Sequence, residues 1–220
     1  MVKKRAQINK RRWILSGVCL LCALLLASCA QQRVVTKPPP PLLNSGPDVV
    51  LPEVDLLELT PEMEAFLDRY ILPYNNSQTR LYMLTTAVTS SGVLGFAYDA
   101  RRTLSAAEAF RTRSGNCVAF ANLMVALARR AGLKAYYQEV IRNPEWASDG
   151  ETVLLVKHVN VIVESNQYTY VMDASDLNIS PFAQRRLVSD QYAEALYMNN
   201  LGVDALLDGD LARSEEHTSE

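Results

Sequence analysis

Few side chains in this 220-residue chain can act as nucleophiles or move protons at neutral pH: four cysteines and two histidines. Cys19 and Cys22 lie in an apolar N-terminal run, Cys29 closes it, and Cys117 alone stands in the body of the chain. Cys117 falls within Ser114-Gly115-Asn116-Cys117-Val118-Ala119-Phe120-Ala121, a glycine-containing loop that leads into an apolar, helix-favouring run from Val118 to Ala131. A cysteine in the first turn of such a helix meets free backbone N–H groups and the positive end of the helix dipole. Both favour a thiolate, the nucleophilic form of sulfur. The competing role is that of a small buried hydrophobe.

A thiol nucleophile needs an imidazole, and the chain offers His158 or His217. His217 sits in an atypical tail. His158 lies in an apolar, β-branched run, Val153 to Glu164, which reads as a strand; Tyr168 to Ala174 reads as the next. Alternation puts His158, Asn160 and Ile162 on one face of the first strand and its valines on the other. A hairpin turning on Ser165-Asn166 sets Val159, Val161 and Val163 against Tyr168, Tyr170 and Met172, and places His158 directly across from Asp173. Opposed Cβ atoms lie roughly 4.5–5.5 Å apart, within reach for an imidazole–carboxylate hydrogen bond. A two-residue shift keeps the faces and pairs His158 with Ser175 or Val171 instead. A lone strand histidine is often structural. Cys117, His158 and Asp173 together make a candidate Cys-His-Asp triad.

The elements that must position these residues can be read in order. Thr60-Pro61-Glu62 is a helix start, with a capping hydroxyl, proline at the first helical position and an acid in the first turn. A second helix is expected from about Ser77 to Thr89, broken by Ser90-Ser91-Gly92. Ser105-Ala106-Ala107-Glu108 matches a capping box and opens a short helix to about Arg113. After the Cys117 helix, Arg129 and Arg130 occupy the last turn and Gly132 is the expected left-handed cap. Leu133 to Ile141 reads as a strand, and Asn143 to Gly150, with Pro144 and Gly150, as a loop.

Arg113-Ser114-Gly115-Asn116-Cys117, then Ala121, Leu123, Ala126-Leu127-Ala128-Arg129 and Gly132-Leu133-Lys134-Ala135, resembles the nucleophile region of the bacterial transglutaminase-like superfamily. Lys157-His158-Val159 and Val171-Met172-Asp173 resemble its histidine and aspartate segments, in that chain order; the likeness covers roughly residues 95–176. It implies an α+β fold with a papain-like core, the nucleophile helix packed on an antiparallel sheet, preceded by N-terminal helices. It implies Cys117 as nucleophile, His158 as general base then acid, and Asp173 as the orienting partner. The oxyanion would be met by the Cys117 backbone N–H and one further donor, for which Tyr98 and Asn116 are candidates. No cofactor is expected, and no metal site, since no calcium-type cluster of acids is visible.

The N-terminus sets an expected location. Six basic residues precede an apolar run from Trp13 to Leu26, too short for a comfortable membrane span and right for a secretory signal. It ends in Leu26-Ala27-Ser28-Cys29, which resembles a bacterial lipobox. That implies cleavage before Cys29, a diacylglycerol on its sulfur, and a membrane partner through that anchor. The expected location is the cell envelope, on the outer membrane facing the periplasm, with Cys117 as the sole free thiol after processing. Gln31 to Pro52, with Pro38-Pro39-Pro40-Pro41, reads as an extended tether.

At the other end, Leu201-Gly202 followed by Gly209-Asp210 resembles the first helix and turn of a tetratricopeptide repeat. A second helix should follow. Instead Arg213 to Glu220 resembles a translated sequencing adapter, so a truncated repeat array with further protein partners is expected. The expected domains are a lipoprotein signal at 1–28, a tether at 29–53, a transglutaminase-like domain at 54–192, the repeat start at 193–212 and a non-native tail at 213–220. The net charge is −2. Without residues 1–28 (six basic) and 213–220 (one basic, three acidic), 15 basic and 21 acidic residues leave −6. With no basic patch interleaved with aromatics, nucleic acid is not an expected partner. The leading expectation is a membrane-anchored thiol enzyme acting on peptide or protein amides, by hydrolysis or transamidation. The alternative is a catalytically inactive scaffold lipoprotein acting through its repeats.

Overall fold

Local chemistry starts the first four helices near where the sequence says they should. In the computed structural model, which describes residues 54–149, 152–165, 168–174 and 183–218, helix α1 spans Pro61–Tyr70, with the Thr60 side chain accepting from the Met63 N–H. Helix α2 spans Ser77–Thr89, capped by the Asn76 side chain. After the two-residue strand β1, Ala97–Tyr98, helix α3 covers Ala106–Thr112. Its capping box is complete: the Ser105 hydroxyl takes the Glu108 N–H while Glu108 reaches back to the Ser105 N–H. Strand β2, Ser114–Gly115, then pairs in parallel with β1. The signal, Cys29 and tether expected before residue 54 lie outside the described residues.

Helix α4, Cys117–Arg130, is the centre of the core. Leu123, Met124, Val125 and Leu127 are fully buried, and truncating one of the leucines to Ala would cost about 2–5 kcal/mol. The one polar side chain in its middle is also fully buried and fully engaged: Asn122 donates to the Leu104 carbonyl (3.1 Å) and accepts from the Tyr137 hydroxyl (2.9 Å). Gly132 follows at φ 76°, the left-handed cap.

Four antiparallel strands form the sheet on which α4 packs: β3 (Lys134–Asp149), β4 (Thr152–Ser165), β5 (Tyr168–Met172) and β6 (Gln184–Val188), in the order β5-β4-β3-β6. Val159, Val161 and Val163 of β4 join Ala135 and Tyr137 of β3 in the core with the α4 side chains.

Two expectations are corrected here. Residues 143–149 are not loop: β3 continues through them, paired with Thr152–Val156, after a register shift between Val140 and Glu145. The break absorbs Pro144, which cannot donate to a ladder. The β4–β5 hairpin closes on Ser165↔Tyr168, not on a Ser165-Asn166 turn, so Val161 pairs with Met172 and the register is two residues from the expected one. Both registers preserve the faces, which is why alternation alone could not choose between them.

Helix α5, Asp190–Leu207, is capped by Ser189 and buries Ala193, Leu196, Tyr197 and Met198 in the same core. The expected boundary at 192/193 therefore falls inside a helix whose first turns lean on the sheet domain. A further helix, α6, covers Leu211–Thr218 despite its lack of large apolar side chains beyond Leu211. Asp210 starts it by accepting from the Arg213 and Ser214 N–H groups. All described residues belong to one compact unit, Pro47–Glu220. Among them no helix is long and apolar enough to cross a membrane.

Candidate active site

Cys117 is the first residue of α4. It is half-buried and, among the described residues, a free thiol. The loop before it is held tightly. Asn116 takes the N-cap, its side-chain oxygen accepting from the Ala119 N–H at 3.0 Å, and its backbone N–H donates to the Arg102 carbonyl at 2.8 Å. Gly115 is required by crowding: a Cβ there would fall well inside van der Waals contact of the Ala119 Cβ.

His158 belongs to β4 and is 2% exposed. Its Nε2 lies 2.7 Å from Asp173 Oδ2, which leaves Nδ1 as the other ring nitrogen, and the Cys117 sulfur is among the groups that act on the ring. Burial works against the charged imidazolium. The hydrogen bond to Asp173 and its negative charge, with a further contribution from the Cys117 sulfur, outweigh it and hold the His158 pKa up to about 9. An imidazolium is therefore the resting form at neutral pH.

Asp173 lies one residue beyond the end of β5. In the observed ladder the position opposite it is Asn160, and the Asn160 side-chain amide donates to the same Asp173 Oδ2 at 3.2 Å. Asn160 was missed by sequence reasoning, although its place two residues from His158 on the same face was a usable signal. Its own side-chain oxygen is buried without a hydrogen-bond partner.

The two candidate oxyanion donors part company. Asn116 is 5% exposed, its oxygen accepting from the Ala119 N–H and its Nδ2 donating to the Thr103 hydroxyl at 2.8 Å. Tyr98 is half-exposed on β1 opposite Gly115. Burial, then the negative charges of Cys117 and Asp173, raise its pKa, which keeps its hydroxyl protonated as a donor. Cys19, Cys22 and Cys29 lie outside the described residues, and His217 lies on α6.

A groove of about 510 Å³ abuts the cluster, walled by Tyr82 and Thr86 of α2, Phe120 of α4, and Tyr170, Met172 and Asp173. Among the described residues Asp173 is its only carboxylate, and no lysine or arginine lines it. Among the described residues no group of three His, Cys, Asp or Glu side chains is placed to hold a metal ion.

No curated protein and no solved structure matches the chain significantly. Residues 70–174, which run from the end of α1 to just past Asp173 and so contain Cys117, His158 and Asp173, match the family described as the Transglutaminase-like superfamily. That stretch of the chain is a transglutaminase-like superfamily domain.

Proposed function

We propose that the protein is a thiol enzyme that acts on amide bonds through an acyl-thioester on Cys117. The observation that carries this reading is the Cys117–His158–Asp173 cluster, in which a buried imidazole is bonded to a carboxylate and shifted also by the sulfur at a helix N-terminus. The thiolate of Cys117 adds to the amide carbonyl carbon, and the oxygen takes up the negative charge. The Cys117 backbone N–H and the Tyr98 hydroxyl meet that charge. His158 passes its proton to the amine nitrogen, the C–N bond breaks, and the amine leaves. Neutral His158 then takes a proton from water or from an incoming amine, which displaces the thioester. The products are an acid or a new amide, with the thiolate restored. The groove beside Asp173, free of cationic side chains, suits an uncharged, partly apolar peptide segment.

The proposed setting is the bacterial envelope, with Cys29 lipidated and the enzyme facing the periplasm on the outer membrane. The Leu26-Ala27-Ser28-Cys29 sequence supports it. Leu201-Gly202 in α5, followed by Gly209-Asp210, favours a second role in recruiting partners through repeats.

Alkylation tests the enzyme reading. Iodoacetamide should label Cys117 at pH 6–7, well below the range near ~8.5 where an ordinary thiol reacts, and His158→Ala should remove that low-pH reactivity. Labelling only above that range, and unaffected by His158→Ala, would leave the inactive scaffold as the surviving reading.

A further inference from the structure

The amide of Asn116 could cap α4 in either of two orientations, and only one of them works. With its oxygen toward Ala119 it accepts that N–H; turned over, two donors would face one another. What holds it the right way is a chain of buried groups. Asn116 Nδ2 donates to the Thr103 Oγ1 at 2.8 Å, and the Thr103 hydroxyl, its oxygen thus occupied, donates onward to Asp204 Oδ2 at 3.0 Å. Thr103 and Asn116 are each only 5% exposed, so water has little access to substitute. A carboxylate can only accept, which gives the whole chain one polarity, from the Ala119 N–H through Asn116 and Thr103 to Asp204.

Asp204 is on α5, outside the residues that match the transglutaminase-like family. It reaches the loop before Cys117 from the far end of the chain. The same loop is clamped to the Arg102–Thr103 segment a second time, through the Asn116 N–H on the Arg102 carbonyl.

We propose that Asp204 is a positioning residue for the nucleophile: through Thr103 and Asn116 it sets the cap of α4, and with it the direction in which the helix end presents Cys117 to His158. This rests on the reading of Cys117 as the nucleophile. It makes α5 a working part of the thiol site. A ligand or partner that pulled on the second half of α5 would alter the reactivity of a sulfur it never touches.

The test compares Asp204→Ala, Thr103→Val and Thr103→Ser in the full chain. Two quantities are read: the pH profile of Cys117 alkylation by iodoacetamide, followed on the Cys117 peptide, and hydrogen exchange at the Ala119 amide. Asp204→Ala places a helix-favouring residue on a helix and should remain folded. Asp204→Ala and Thr103→Val should move the alkylation profile up by about half a pH unit, the size of a weakened helix-end effect. They should also speed Ala119 exchange about fivefold, as loss of a cap does. Thr103→Ser keeps the hydroxyl and should restore both. A wild-type profile, or wild-type Ala119 protection, in either disruptive variant overturns the proposal. A profile in the wild type that ignores His158→Ala would instead sink the nucleophile reading, and Ala119 exchange would still report on the chain from Asp204.

Discussion

His158 Nε2 and Asp173 Oδ2 are 2.7 Å apart although the two residues do not face each other across the β4–β5 ladder. The residue opposite Asp173 is Asn160, and the carboxylate leans diagonally to the histidine, a span that longer side chains bridge in a sheet. Asn160 then grips the same oxygen from the side. The carboxylate is held by two donors on one strand, which fixes its direction better than a directly opposed pair would.

That arrangement gives the first prediction. Asp173→Asn should keep the fold but lower the alkylation rate of Cys117 at pH 7 by up to roughly 30-fold, the fall in thiolate fraction when the imidazolium loses its counter-charge and the thiol returns to its ordinary range near ~8.5. Asn160→Ala should cost about tenfold, the loss of one hydrogen bond to a charged group. A large loss for Asn160→Ala with little loss for Asp173→Asn would mean that Asn160, not Asp173, orients the ring.

The pH dependence of stability follows from His158. Its pKa is about 9 in the folded chain against 6.5 when unperturbed. A raised folded pKa stabilises fully below the unfolded value, and the gain is lost as pH rises through 6.5 toward 9. Urea unfolding should therefore show the folded state losing up to roughly 3 kcal/mol over that window. His158→Gln should flatten this part of the curve. An unchanged slope in the variant would place the titration elsewhere.

Tyr98 can be separated from the triad by choice of reagent. Acylation by an activated ester such as p-nitrophenyl acetate develops an oxyanion, whereas alkylation by iodoacetamide does not. Tyr98→Phe should slow the first by roughly 10²–10³ and leave the second unchanged, as expected for an oxyanion donor. Parallel losses in both would show that Tyr98 acts on the sulfur instead.

Gly115→Ala should destabilise by about 1–3 kcal/mol, because the new methyl overlaps the Ala119 Cβ. Ala119→Gly empties that space. The double variant should be more stable than the sum of the two single effects requires, and thermal melts of all four chains measure the difference. Strict additivity would put the clash somewhere other than Ala119.

Several helix starts were legible because each rests on neighbours in the chain: Thr60 with Pro61, Ser105 with Glu108, the glycine-containing loop before Cys117. The residue types of the site were legible for the same reason, since one cysteine at a helix start and one histidine on a strand leave little choice. What was hidden depends on separation. Ser165 and Asn166 allowed two registers with the same faces, so the exact partner of Asp173 could not be read. Gln184–Val188 shows no alternation, being an exposed edge strand with two arginines, and it went unassigned. The strand through 143–149 was hidden because its partner, not its own composition, makes it a strand. The link from Asp204 to Thr103 spans 101 positions, beyond any local pattern.

The register shift between Val140 and Glu145 has a mechanical meaning. On one side of it, β3 and β4 are flanked by β5 and β6, and the last paired residue there is His158, opposite Val140. On the other side, Glu145–Asp149 and Thr152–Val156 form a ribbon with no third strand among the described residues. Two strands alone are marginal, so this ribbon should fray and re-form far more often than the sheet opens. The break in the ladder should confine any bending of the ribbon to its outer side, so that His158, one step inside it, keeps its place.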